Sequence, residues 1–202
     1  QTAMIKLLGR RASLVARYQG HNTVFTTGRI AEAHEAFGFT GIYVDDSGLG
    51  GGVVDMLQED RGKFPVRGIN FGGTEGMFHP DRYVNIKAEM MFLLRAELEA
   101  GFKDPLNPLV GLSLPDDKLL VHQLAAQKYS FDNRQRYRVE SHEALKARGE
   151  RSPDTADALI LANYGRTSAA RRGGRHLVDP LVLSTGDAVE RGIASEVVRA
   201  QF

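Results

Sequence analysis

The chain has 202 residues, of which 42% are hydrophobic and 25% are charged, and its formal net charge is +1. A chain of this length and composition can bury one substantial core, so we expect one main domain. The absence of cysteine excludes disulfides, thiolate zinc sites and cysteine nucleophiles. The sequence contains no run of eighteen apolar residues and does not open with the layout of a secretion signal, so we expect a cytoplasmic protein.

Strands and helices are predicted to alternate along the first half of the chain. Two apolar segments, 3–8 and 12–18, flank a Gly-Arg turn and predict an opening hairpin. Apolar periodicity and helix-ending glycines then predict, in order, a helix at 27–37, a strand at 41–44, a glycine turn, a helix at 53–59, a strand at 64–71 and the longest helix at 82–100.

The second half continues the same alternation. Asp116 is predicted to cap a helix that reaches Gln127, and a hairpin at 129–140 is predicted to turn at Asp132 and Asn133. Ser141 caps a short predicted helix that ends at Gly149, and the last well-marked helix is predicted at 152–164, before Gly165. Together these elements predict an α/β fold with a mixed sheet flanked by helices.

Past Gly165 the composition changes to arginine, glycine, serine and alanine, which predicts a domain at 1–165 and a basic linker with a C-terminal appendage at 166–202. The appendage contains an apolar run at 181–183 and a predicted helix at 187–200. Arginines cluster in two places, where they either meet phosphate or form solvated faces. The clusters are Arg134, Arg136 and Arg138, and Arg166, Arg171, Arg172 and Arg175.

A predicted buried strand runs directly into two adjacent carboxylates, Asp45 and Asp46. Aspartate is a poor strand residue, and ligands usually bind at the carboxyl edge of an α/β sheet. Because successive strand side chains point to opposite faces, only one of the two acids is expected to be a ligand. The alternative is that both acids belong to the turn and cap the next helix. The glycines that follow do not have the spacing of a dinucleotide fingerprint or a P-loop.

A second pair of acids, Asp154 and Asp157, lies at the start of the 152–164 helix, where Ser152 and Pro153 mark the helix start. Residues three apart lie on one helix face, so the two carboxylates project together. On an otherwise apolar helix this arrangement favours a divalent cation, although interaction with the helix dipole is the alternative.

Other kinds of site do not match the sequence. No histidine pair has the zincin spacing, and no Gly-x-Ser-x-Gly elbow is present. His79, His122 and His142 receive no role and are interpreted as surface or core residues. A set of hard carboxylate oxygens selects Mg²⁺ or Mn²⁺ over zinc, and such ions suit phosphoryl chemistry.

Four stretches, in this order, resemble the C-terminal nuclease domain of the large terminase subunit of tailed bacteriophages and prophages. They are 43–55 (YVDDSGLGGGVVD), 68–72 (GINFG), 85–90 (NIKAEM) and 148–159 (RGERSPDTADAL). The resemblance implies an RNase H-like fold and a site that uses two Mg²⁺ or Mn²⁺ ions, held by Asp45, Asp154 and Asp157, to cut concatemeric DNA during genome packaging in the bacterial host. The Asp-x-x-Asp-Ala-Leu pattern is also similar to Holliday-junction resolvases.

The resemblance also implies a further metal-binding aspartate on a strand ahead of the hairpin, whereas no acid precedes Glu32 here. We therefore expect residues ahead of Gln1, and a site without that carboxylate is expected to bind metal weakly and to be inactive.

The expected mechanism is in-line displacement at two ions about 4 Å apart. Lys146, Arg148 and Arg151 are predicted to contact the DNA backbone without reading bases. The resemblance adds the portal protein and the small terminase subunit as expected partners. Two alternatives stay open at this point, a non-catalytic module that binds DNA or a portal, and a resolvase-like nuclease.

Overall fold

A computed structural model describes residues 1–59 and 62–172, with side chains described as far as residue 168. This part of the chain is a mixed α/β structure, as predicted. Its strands are β1 (Thr2–Leu8), β2 (Arg11–Tyr18), β3 (Ile42–Asp45), β4 (Val66–Ile69), β5 (Tyr129–Phe131) and β6 (Tyr137–Val139). Its helices are α1 (Thr23–Phe37), α2 (Leu49–Glu59), α3 (Ile86–Lys103), α4 (Lys118–Ala125), α5 (His142–Ala147) and α6 (Asp154–Arg172). The apolar run at 181–183 and the predicted helix at 187–200 lie outside the described residues.

The strands form three hydrogen-bonded pairs of both orientations. β1 and β2 are antiparallel and joined by a tight turn in which Gly9 has a φ of 60°, so the predicted opening hairpin is confirmed. β3 and β4 are parallel, and their register pairs Asp45 with Ile69 at the carboxyl end of both strands. β5 and β6 are antiparallel and form the predicted second hairpin.

Capping side chains move three helix starts away from their predicted positions. Asn22 accepts a hydrogen bond from Phe25 N, so α1 begins at Thr23, four residues earlier than expected. Asn85 caps α3, which therefore begins at Ile86 and not at 82. The cap of α4 is Asp117 and not Asp116. In each case a side-chain oxygen satisfies a backbone N–H that the first helical turn leaves unpaired.

Two glycines that were predicted to lie outside helices, Gly50 in a turn and Gly165 after a helix end, lie inside helices. α2 begins at Leu49 and contains Gly50, where an added Cβ would lie 1.7 Å from the carbonyl oxygen of Asp45. α6 continues through Gly165, where a Cβ would lie 2.3 Å from the ring of Tyr43. These glycines permit close packing of a helix on β3, so their smallness matters more than their low helix propensity.

Because α6 extends to Arg172, it has 19 residues and exceeds the 18 of α3, which was expected to be the longest helix. The predicted domain boundary at 165 stays a prediction, although α6 crosses it.

Helices α3 and α6 pack side by side and run in the same direction, since Lys87 contacts Asp157 at one end and Glu97 contacts Arg166 at the other. Both helices contribute to one apolar core, together with α4 and the β1–β2 hairpin. The fully buried aliphatic members include Ile86, Met90, Leu94, Leu120, Leu159 and Ile160. Within the described ranges no helix combines the length and the apolar character that a membrane crossing needs.

Candidate active site

Asp45 is the last residue of β3 and lies at the carboxyl edge of the parallel strand pair. Its side chain is half-buried, and its Oδ1 accepts a hydrogen bond from Ser47 N at 3.0 Å. The close approach of Gly50 brings the start of α2 directly against the Asp45 backbone. The strand end is therefore fixed on both sides, which holds the Asp45 carboxylate in one place.

The neighbouring acid, Asp46, occupies a different environment. It is exposed, and its carboxylate lies against the backbone of Gly68 and Gly51, where added Cβ atoms would approach it to 3.0 Å. The two adjacent carboxylates thus face different surroundings, as the strand alternation predicts.

Asp157 enters the same region from the first turn of α6. Its side chain is 9% exposed, and its backbone N donates to Pro153 O at 2.8 Å. The first turn of α6 is capped from another helix, because Gln123 Oε1 accepts hydrogen bonds from the backbone N of Thr155 and Ala156 at 3.0 and 3.1 Å. The prediction that Ser152 caps this helix was wrong, because its hydroxyl donates to the side chain of Asp154.

Electrostatic interactions connect Asp45 to Asp157. Burial raises the pKa of Asp45 above its ordinary value, and hydrogen bonds from Ser47 oppose that increase. The negative charge of Asp157 raises the same pKa further, whereas the positive charge of Lys87 lowers it. Asp45 and Asp157, which come from distant parts of the chain, therefore lie close enough for the charge of Asp157 to act on the Asp45 carboxylate.

Two basic side chains complete the cluster, and neither was predicted from the sequence. Lys87 Nζ lies 2.9 Å from Asp157 Oδ1, 3.0 Å from Asp157 Oδ2 and 2.8 Å from His142 Nε2. His142 Nε2 also lies 2.9 Å from Asp157 Oδ2. An ammonium group has donors only, so Lys87 donates to the Asp157 carboxylate, and in the tautomer that leaves His142 Nε2 without a proton it donates to the imidazole as well.

A signal for Lys87 was present in the sequence. Asn85 has the residue type of a helix cap, and a lysine two residues later lies in the first turn, where the helix dipole disfavours a positive charge. His142 gave no comparable signal, because it lies in a different helix, 15 residues before Asp157 and 55 after Lys87.

The chemistry of the donors fits a divalent cation, although their present arrangement is not that of a metal site. Asp157 Oδ1 is buried and receives no hydrogen bond, since Lys87 Nζ approaches it without hydrogen-bond geometry. A buried carboxylate oxygen with unused lone pairs is a hard ligand of the kind that Mg²⁺ and Mn²⁺ take. In the part of the chain that the structure describes, however, no three acidic or histidine side chains converge closely enough to hold an ion.

Asp154, the third predicted ligand, has other neighbours. Its carboxylate accepts the hydroxyl hydrogen bond of Ser152 at 2.8 Å and lies 3.9 Å from the backbone nitrogen of Gln1, beside the start of β1. Asp154 and Asp157 share the first turn of α6, as predicted, but the contacts of Asp154 are with the hairpin side of that turn. Its role as a ligand stays a prediction.

The three predicted DNA-contacting residues differ in their surroundings. Lys146 and Arg151 are exposed. The guanidinium of Arg148 donates to both carboxylate oxygens of Glu140, at 2.8 and 2.7 Å, and to Ala126 O at 2.8 Å. Since these contacts occupy Arg148, Lys146 and Arg151 are the better candidates for contact with phosphate.

Neither a protein-family model nor a curated protein sequence matches this chain. Its architecture does match solved structures, and the class that it matches is the RNase H-like nuclease domain of a large terminase subunit.

The matching structures are of the large terminase subunit gp2 of bacterial virus Sf6. The nuclease domain itself is 17% identical, with a TM-score of 0.62 and coverage of 76% of both chains. A point mutant with manganese and beta-thujaplicinol is 16% identical, with a TM-score of 0.64 over 76% of this chain and 77% of that one. The same mutant with calcium is also 16% identical, with a TM-score of 0.62 over 76% of each chain. These similarities establish the fold that the sequence resemblance had implied.

Proposed function

We propose that this chain is the metal-dependent endonuclease domain of a phage or prophage terminase large subunit. The observation that carries the proposal is that Asp45, at the carboxyl edge of the β3–β4 pair, lies close enough to Asp157 and Lys87 for their charges to act on it. Within an RNase H-like fold, a divalent cation beside these two partly buried carboxylates would offset the repulsion between them. The manganese and calcium in the similar Sf6 structures support a divalent ion in that role.

Asp45 and Asp157 would hold the ion, with Asp154 as the next candidate ligand. Bound Mg²⁺ or Mn²⁺ supplies an activated water and charge stabilisation for hydrolysis of a phosphodiester. The protein's own contribution is to fix the two carboxylates. Gly50 and Ser47 fix Asp45, and the Gln123 cap fixes the turn that carries Asp157.

The proposed substrate is double-stranded DNA, contacted through its backbone. Lys146 in α5 and Arg151 before α6 are exposed cations on segments that flank the cluster, and phosphate contacts of this kind position DNA without reading its sequence. We further propose that residues 1–165 belong to the nuclease unit, which α6 continues to Arg172, and that the basic C-terminal segment connects this unit to partners such as a portal or a small terminase subunit.

Supercoiled-plasmid nicking with Mn²⁺ tests the proposal, using the protein in the longest form that its gene encodes. Asp157→Asn and Asp45→Asn should each reduce nicking by more than about a hundredfold, since even residues behind the metal ligands commonly contribute about 10–100-fold. The matched control is Asp46→Asn, which removes an exposed carboxylate one residue from Asp45 and should leave the rate unchanged.

Two results would count against the proposal. Nicking that survives both substitutions would remove Asp45 and Asp157 from the chemistry. A wild-type protein that shifts DNA mobility without divalent ions and never nicks it would instead support a non-catalytic binding module.

A further inference from the structure

Lys87 occupies an unfavourable position for a lysine. It lies in the first turn of α3, where the helix dipole disfavours positive charge, and it is only 8% exposed. The backbone holds it there, because Ile86 N donates to Gly73 O at 2.9 Å and Lys87 N donates to Phe71 O at 3.3 Å. A buried ammonium group at a helix N-terminus requires strong compensation from its neighbours.

That compensation comes from three lone-pair atoms that converge on one point. Asp157 Oδ1, Asp157 Oδ2 and His142 Nε2 all lie within 3.0 Å of Lys87 Nζ. A carboxylate that presents both oxygens, together with an imidazole nitrogen, is a donor set that a divalent metal ion also takes. The ammonium group therefore stands where a cation ligated by Asp157 and His142 would stand.

The ammonium group fits this position imperfectly. Asp157 Oδ1 is buried and accepts no hydrogen bond despite the short ion-pair contact. A divalent ion, which takes several oxygen and nitrogen ligands at once, would satisfy this unused oxygen.

We infer that Lys87 is an internal cation that blocks the carboxylate site, and that a divalent ion binds Asp157 only by displacing its ammonium group, with His142 then exposed as a further ligand. This inference rests on the proposed function, since it concerns the same site. An ammonium and a divalent ion cannot share the two oxygens of Asp157, because like charges within about 4 Å repel strongly inside a protein. Lys87 thereby sets a concentration threshold for the metal.

Mn²⁺ binding measured by electron paramagnetic resonance tests the inference without any activity readout. Lys87→Gln removes the charge but keeps a side chain that can donate to Asp157, and it should tighten Mn²⁺ binding by about tenfold or more. The matched control is Lys103→Gln, an exposed lysine in the last turn of the same helix, which should leave the affinity unchanged. The double substitution of Lys87→Gln with Asp157→Asn should lose the tightened binding.

Thermal unfolding gives a second readout that does not depend on detecting the bound ion. Without metal, Lys87→Gln should melt below the wild type because Asp157 loses its counter-ion, and saturating Mn²⁺ should raise its Tm by more than it raises that of the wild type. A purely structural lysine would not produce this metal-dependent recovery.

The outcomes separate the two proposals. If the wild type binds Mn²⁺ and Lys87→Gln binds it equally or more weakly, the blocking role is wrong while the nuclease proposal stands. If Mn²⁺ binds to none of these proteins, the metal-dependent function and the blocking role are both overturned.

Discussion

The parallel helices α3 and α6 hold a buried acid at each end of their contact, and the two ends are balanced differently. At the far end, Glu97 of α3 accepts hydrogen bonds from Arg166 at 2.6 Å and from Arg10 at 2.5 Å. At the near end, Asp157 of α6 meets Lys87, but Asp45 adds a second acid to that lysine's surroundings. The far end has two guanidiniums for one acid, whereas the near end has one lysine and one histidine on Asp157, with Asp45 nearby.

The difference separates a structural ion-pair network from a site prepared for a ligand. At the far end both carboxylate oxygens of Glu97 accept hydrogen bonds from guanidiniums, although Arg166 Nε stays without a partner. At the near end the unpartnered atom is on the acid itself, since Asp157 Oδ1 is buried and accepts no hydrogen bond. An unpartnered carboxylate oxygen, unlike an unpartnered guanidinium nitrogen, is an atom that a bound cation would satisfy.

The largest effect on stability is expected at the far end. Glu97→Ala leaves Arg10 and Arg166 without their common partner, which should lower the free energy of unfolding by about 3–5 kcal/mol, as for other buried pairs that lose one member. Urea unfolding followed by circular dichroism measures this change. Mn²⁺ affinity should stay within error of the wild type, and a change in affinity would show that the two ends are not independent.

At the near end, removal of an acid should raise the free energy of unfolding and not lower it. Asp45 has a raised pKa, so its ionised form is less favourable in the folded protein than in the unfolded chain. Asp45→Asn should therefore stabilise the metal-free protein at neutral pH, by about 1 kcal/mol or less. The gain should vanish at acid pH, where Asp45 is protonated in both states. Destabilisation at neutral pH, measured by urea unfolding in EDTA, would contradict the raised pKa of Asp45, which comes mainly from burial and in smaller part from the charge of Asp157.

The sequence could indicate only those residues of the candidate site that belong to a local pattern. Asp45 was predictable because a strand that ends in aspartate and glycine is a local pattern, and Asp157 because a marked helix start precedes it. Lys87 and His142 reach Asp157 from separations of 70 and 15 residues, and their meeting depends on how α3, α5 and α6 pack. Spacing along the chain carries no information about such packing.

The differences between the predicted and the observed helix boundaries also arise partly from tertiary contacts. Asn22, Asn85 and Ser141 all cap helices in the structure. Of these three, only Ser141 was predicted as a cap, and that prediction was confirmed. Gly50 was assigned to a turn and Gly165 to a position after a helix end, because glycine has a low helix propensity. Glycine is needed at these positions because of tertiary contacts. Gly50 lies against the Asp45 carbonyl, and Gly165 lies against the Tyr43 ring.

The smallest expected effect concerns the ion pair that anchors α5, the helix that presents His142. Hydrogen bonds from Arg148 hold the pKa of Glu140 below its ordinary range. A lowered pKa stabilises the fold at neutral pH, and that contribution is lost as the pH falls through the folded-state pKa of Glu140. Glu140→Gln should therefore melt slightly below the wild type at pH 7, and the difference should close in acid.

The Glu140–Arg148 ion pair should also affect the candidate site, because it lies next to the helix that carries His142. Because α5 begins two residues after Glu140, loosening its anchor should weaken the hold of His142 on Lys87, so Glu140→Gln should also bind Mn²⁺ slightly more tightly. Melting curves from pH 7 to pH 3 and a Mn²⁺ titration at pH 7 measure the two effects separately. A stability difference that persists in acid would mean that Glu140 acts through packing and not through its charge, and α5 would then be anchored independently of Arg148.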